Sequence, residues 1–167
     1  LDEASGGYYW SVGPEGKPAQ VKKQVYGQVF VIYALAEWYR ASGVQEALTA
    51  AIDLYQLVEQ HAYDPVYRGY VEALAKEWTF LEDVSLSGTD LNERKSMNTH
   101  LHVLEAYTNL YRVWPDPGLQ ERLKELIDVM LVCVTNQETN HFHLFFGEDW
   151  QVKSNVISYG HDIEGSW

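Results

Sequence analysis

Apolar positions recur at helical spacing in four long stretches of this 167-residue chain, and turn-forming residues separate them. Residues 21–41 form the first, with Gly43 placed to close it in the left-handed conformation. Residues 45–61 form the second. Its apolar face is Leu48, Ala51, Ile52, Tyr55 and Val58, and Asp64-Pro65 stops it. After a polar loop over residues 85–90, the spacing predicts a third helix opened by an Asp90/Glu93 capping box and running to about Trp114. Asp116 and Pro117 read as N-cap and first residue of a fourth, which extends from Leu119 to about Thr135. Residues 161–167 begin a fifth. Alternating aromatic and small residues at 6–12, followed by Gly13-Pro14-Glu15-Gly16, predict a β-hairpin. Similar segments begin at Tyr67 and at His141.

The order hairpin, helix, helix therefore repeats, and the repeat is visible residue by residue. Lys23, Tyr26, Ala34, Tyr39 and Arg40 stand 72 residues before Lys95, Asn98, Ala106, Tyr111 and Arg112. In this register Tyr26 and Phe30 take the helical positions of Asn98 and His102. Tyr159-Gly160-His161 echoes Tyr26-Gly27-Gln28 at the head of a third unit. Helix pairs joined by hairpins predict an all-α toroid whose inner helices point their N-terminal residues at a central cavity. A helical solenoid of interaction repeats is the competing architecture.

Within the third helical stretch, Asn98, His102, Glu105 and Asn109 fall on one narrow stripe flanked by apolar residues. A solvated helix carries its charges on a broad face, so this thin polar line suits a buried helix that presents a few groups to a cavity. His100, two residues before His102, points elsewhere. His161 and Glu164 share a side of the last stretch, together with Trp167. Neutral imidazole titrates near neutrality and can take a proton from carbon and return it, while a neighbouring carboxylate holds its tautomer. A hydrogen-bonded core histidine is the competing reading for each.

Composition narrows these choices. The net charge of −12 and isoelectric point near 4.8 oppose nucleic-acid binding. No apolar run approaches the roughly 20 residues of a membrane span. The single cysteine, Cys133, lies in an apolar run and fits an inert thiol in a reducing, cytoplasmic setting. Six Trp and twelve Tyr suit either a helical core or stacking on sugar rings. The pairs His100/His102 and His141/His143 lack the further ligands of a metal site, so no metal is expected. Asp162 and Glu164 face different ways on one helix and do not make a glycosidase pair.

Lys95-Ser-Met-Asn-Thr-His-Leu-His-Val-Leu-Glu-Ala-Tyr107 and Ser158-Tyr-Gly-His-Asp-Ile-Glu-Gly-Ser-Trp167 resemble the N-acylglucosamine 2-epimerase family, and within it the cellobiose 2-epimerases. Tyr26-Gly-Gln28 with Ile32-Tyr-Ala-Leu-Ala-Glu37 is a weaker third match. The resemblance runs along the whole chain and implies part of an (α/α)6 barrel of ~400 residues. Residues 1–167 would be its middle, about two and a half of six helix pairs, and inactive alone. The implied reaction inverts C2 of the reducing-end glucose of cellobiose or lactose to give mannose, without a cofactor. By resemblance His161 is a general acid/base, and His102 is a second active-site histidine that assists ring opening. Tyr26, Asn98, Glu164 and Trp167 would contact the sugar. A further acid/base histidine and an arginine are expected outside this chain, and the enzyme is expected to be a monomer. An N-acylglucosamine epimerase, an aldose–ketose isomerase and a non-catalytic helical scaffold are the rival readings.

Overall fold

The computed structural model describes residues 1–166, and Trp167 lies outside the described residues. Two helix pairs and the start of a third build it. α1 (Val25–Ser42) and α2 (Gln45–His61) form the first pair, α3 (Met97–Val113) and α4 (Pro117–Val129) the second, and α5 (Tyr159–Gly165) comes after them. Short connections make each pair antiparallel. α1 lies against both α2 and α3, and α3 against α4, so α1 and α3 are the inner layer.

Six very short strands tie the helix ends together. β1 (Ser11–Val12) and β2 (Pro18–Gln20) form the first expected hairpin. β3 (Lys23–Gln24) pairs antiparallel with β4 (Ala73–Leu74), and β5 (Lys95–Ser96) with β6 (Phe145–Phe146). These two ladders are long-range. Each joins the residues entering an inner helix to the segment that follows the outer helix of the same pair. The local hairpins near Tyr67 and His141 appear as antiparallel bridges Tyr63–Tyr70 and Thr135–Phe142, with Phe146–Val152 beyond.

Burial follows the apolar spacing. Val25, Val29, Ile32 and Ala36 of α1 pack with Leu48, Ala51 and Val58 of α2 and with Val103, Ala106, Tyr107 and Leu110 of α3. A second cluster joins Met97 and Leu101 to Val129, Met130, Val134 and Phe146. The Lys23/Lys95 identity builds the same support twice. Lys23 Nζ donates to Asp2 at 2.8 Å and to the Gly6 carbonyl at 2.7 Å. Lys95 Nζ donates to Asp64 at 2.8 Å and to the carbonyls of Arg68 and Glu148 at 2.7 Å each. Both lysine side chains are fully buried, which only such pairing allows.

Several boundaries move from the expected ones. α1 starts at Val25 because residues 23–24 belong to β3. α3 starts at Met97, and the Asp90/Glu93 capping box does not form. β5 holds the chain extended through Ser96 (φ −133°, ψ 153°), and the Ser96 hydroxyl accepts the Thr99 amide at 3.1 Å. Asp90 instead accepts the Ser87 hydroxyl at 2.6 Å. Asp116 does cap α4, accepting the Leu119 amide at 3.0 Å with Pro117 first in the helix. α4 ends at Val129 and widens into a π-helical turn, Met130–Val134, closed where Thr135 donates to the Met130 carbonyl. No described helix is long and apolar enough to cross a membrane.

Candidate active site

The N-terminal turns of α1, α3 and α5 converge. His102 of α3 is buried, with its ring 4.9 Å from that of Tyr26, edge to face, and 4.8 Å from that of Phe30. Tyr26 and Phe30 therefore clamp the imidazole from α1. His102 Nδ1 lies 2.7 Å from Glu105 Oε2, so Nδ1–H donates to the carboxylate and the lone pair of Nε2 is left free to act. Nε2 points toward Glu164 of α5, 3.9 Å away. Burial, then the charges of Glu164 and Glu105, push the Tyr26 phenol above its usual range.

His161 and Asn98 line one cavity of about 480 Å³, with Glu72, Ser96, Ser158 and the loop residues Thr89 to Leu91. The His161 amide donates to the capping Ser158 hydroxyl at 3.4 Å, which sets the ring at the mouth of α5. Its Nδ1 is buried with no partner among the described residues. Glu105, Asn109 and Glu164 line a second hollow of about 290 Å³ with Tyr33 and Arg112. The polar stripe thus borders two hollows rather than one. Asn98 faces the first, Glu105 and Asn109 face the second, and His102 stands between them on α3.

His100 faces away from both. It is fully buried, its Nδ1 donates to the Ser96 carbonyl at 2.6 Å, and its Nε2 accepts the Tyr70 amide at 2.8 Å. Gln28 does the same work in the first unit, accepting the Tyr8 amide at 2.8 Å. In the third unit the acceptor is Asp162, which takes the Phe142 amide at 2.9 Å and lies 2.7 Å from His141 Nδ1. The capping serines give the same register: Ser96 and Ser158 are 62 residues apart, so Asp162 corresponds to His100 and Glu164 to His102. The echo of Tyr26-Gly27-Gln28 in Tyr159-Gly160-His161 is therefore off by one residue. His161 takes the position of Thr99, and His102 and His161 are not repeat equivalents.

His102, Glu105 and Glu164 each offer a ligand atom, all within 4.8 Å of one another, and could hold a metal ion. Reasoning from His-x-His pairs missed this grouping, because Glu164 arrives from a separate helix. Cys133, half-buried with its thiol pushed up by burial, takes no part in the site. Tyr26, His102 and Glu164 come together, whereas Asn98 and His161 meet in the cavity of about 480 Å³. The expected Trp167 contact falls outside the described residues.

The sequence profile described as N-acylglucosamine 2-epimerase matches residues 1–167. A cellobiose 2-epimerase of Bacteroides fragilis is 50% identical over 99% of this chain, which spans 42% of that relative. The solved structure of a cellobiose 2-epimerase from Bacillus thermoamylovorans superposes with a TM-score of 0.95 at 41% identity, covering 100% of this chain and 43% of that one. A D-mannose isomerase structure shares the fold, with a TM-score of 0.70 at 22% identity over 89% of this chain and 36% of that one. The chain thus spans less than half the length of the relatives it matches. Its helix pairs are part of an (α/α)6 barrel, with short β-hairpins between them.

Proposed function

The chain belongs to the N-acylglucosamine 2-epimerase family, and from that premise we propose that its full-length protein is a cofactor-independent sugar 2-epimerase. Its substrate would be the reducing-end glucose of a cellobiose- or lactose-type disaccharide, converted to mannose. Residues 1–167 would be the middle of one barrel, with helix pairs on either side completing the cavity.

One observation carries this reading: His102 and Glu105 of α3 meet Tyr26 of α1 and Glu164 of α5, while His161 of α5 shares a cavity with Asn98 of α3. His102, held by Glu105 at 2.7 Å, keeps its Nε2 for the sugar. There it can take the proton from the anomeric hydroxyl and pass it to the ring oxygen as the pyranose opens. His161, with Nδ1 buried and unpartnered among the described residues, can remove the proton from C2. The resulting enediolate is reprotonated on the opposite face by an acid, a protonated group on another wall of the barrel. Asn98, Glu164 and Tyr26 supply hydroxyl contacts that fix which carbon meets His161. The named activities of the cellobiose 2-epimerase relatives support the same sugar class.

Incubating the full-length protein separately with cellobiose, mannose and N-acetylglucosamine, then resolving the products by chromatography, tests the proposal. Glucosyl-mannose from cellobiose alone is the expected result. Fructose from mannose would make it an aldose–ketose isomerase, and N-acetylmannosamine from N-acetylglucosamine an amino-sugar epimerase. No turnover of any sugar by the folded protein would favour the scaffold.

A further inference from the structure

Glu72, just before β4, is a buried carboxylate that nevertheless forms part of the wall shared by Asn98 and His161. Its Oε1 accepts the Ser96 hydroxyl at 2.6 Å and its Oε2 accepts the Thr99 hydroxyl at 3.0 Å. Ser96 is also the N-cap of α3, so the carboxylate grips both ends of the turn in which Asn98 sits. No cation comes within ion-pairing distance of it among the described residues. A serine cap works without such a group, and a buried carboxylate lacking a counter-ion is costly. Stability alone does not account for it.

We propose that Glu72 is a positioning residue for the epimerisation assigned above: by holding Ser96 and Thr99 it fixes the direction in which Asn98 presents its amide to the sugar beside His161. The inference rests on that functional reading. Ionised, Glu72 accepts both hydroxyls. Protonated, one oxygen becomes a donor, and one hydroxyl must turn away. Burial pushes the carboxyl up to about 7 against the pull of the Ser96 and Thr99 hydroxyls, so the change falls near neutrality. The charged and titratable groups facing it are Lys22 ahead of β3, Asp90 of the loop and His161 of α5. Arg94, whose carbonyl accepts the Glu72 amide, turns its guanidinium to the Leu81 carbonyl and toward Glu148.

The test uses the full-length protein with Glu72→Gln and, as a milder variant, Thr99→Val. Turnover of cellobiose is followed from about pH 5.5 to 8.5, and the side-chain amide of selectively labelled Asn98 is followed by NMR over the same range. At the alkaline end Glu72→Gln should lower kcat/KM by about tenfold to a hundredfold without lowering Tm. At the acid end the two proteins should converge, because a protonated glutamate and a glutamine are alike. The Asn98 signal should titrate near pH 7 in the wild type, at higher pH in Thr99→Val, and not at all in Glu72→Gln. An Asn98 signal that stays flat, or titrates equally in Glu72→Gln, overturns the inference whether or not cellobiose is the substrate. Absence of turnover by the wild type would overturn the functional reading instead, and the NMR titration would still decide the role of Glu72.

Discussion

His100 has both ring nitrogens engaged, one by the Tyr70 amide and one by the Ser96 carbonyl. His102, half a turn on, has one nitrogen engaged and one free. That difference separates a structural imidazole from a chemical one. Burial pushes the His100 pKa from 6.5 down to about 4, so folding favours the neutral ring. The folded value lies below the unfolded one, and stability is therefore lost as pH falls from about 6.5 toward 4, by up to about 3 kcal/mol. Gln28 makes the corresponding bond in the first unit, so glutamine is a matched replacement. In the full-length protein, His100→Gln should change stability at pH 7.5 by no more than about 1 kcal/mol. It should also flatten the loss between pH 6.5 and 4, as followed by thermal unfolding. An unchanged acid limb would mean that His100 is not the group responsible.

At the scale of elements, the entries to α1 and α3 repeat one device, a buried lysine, an extended pair and an acceptor for one hairpin amide, and α3 adds the Ser96 cap. The turn that feeds the acceptor must be tight. Gly69 has φ +77°, and a Cβ there would lie 2.5 Å from His100 Nε2 and 2.7 Å from the Trp150 ring. Gly69→Ala is thus strained in backbone and in space, and should cost about 2–4 kcal/mol, measured as a fall in Tm. A neutral outcome would show that the hairpin can move off α3. Helix spans, the Gly43 closure and the Asp116 cap were legible because local spacing and local turn chemistry decide them. The start of α3 was not. Asp90 and Glu93 mimic a capping box, whereas pairing of Lys95-Ser96 with the distant Phe145-Phe146 holds the chain extended to Ser96. Long-range pairing of two-residue strands leaves no periodic trace. The π-helical turn after Val129 was equally hidden: its Met130 and Val134 share a core cluster with Phe146, a partner distant along the chain.

At the scale of the molecule, the repeat explains why the site residues could be named but not their partnerships. Periodicity places Asn98, His102, Glu105 and Asn109 on one stripe, yet it is silent on where α5 sits against α3. The approach of Glu164 to His102, and of Glu72 to the first turn of α3, exists only after folding. The described surface also carries apolar faces that further helix pairs of a barrel would cover. Leu131 and Val132 of the π-helical turn are 59% and 74% exposed, and Ile163 of α5 is 73% exposed. Those pairs would complete the cavity in which His161 is proposed to exchange the C2 proton. That role is tested most directly by epimerising cellobiose in deuterated water with the full-length wild type and with His161→Asn. The wild type should incorporate deuterium at C2, and His161→Asn should lose about a hundredfold to ten-thousandfold in rate while keeping its fold. A variant that epimerises at near wild-type rate, with deuterium entering C2 from both epimers, would show that His161 is not the base.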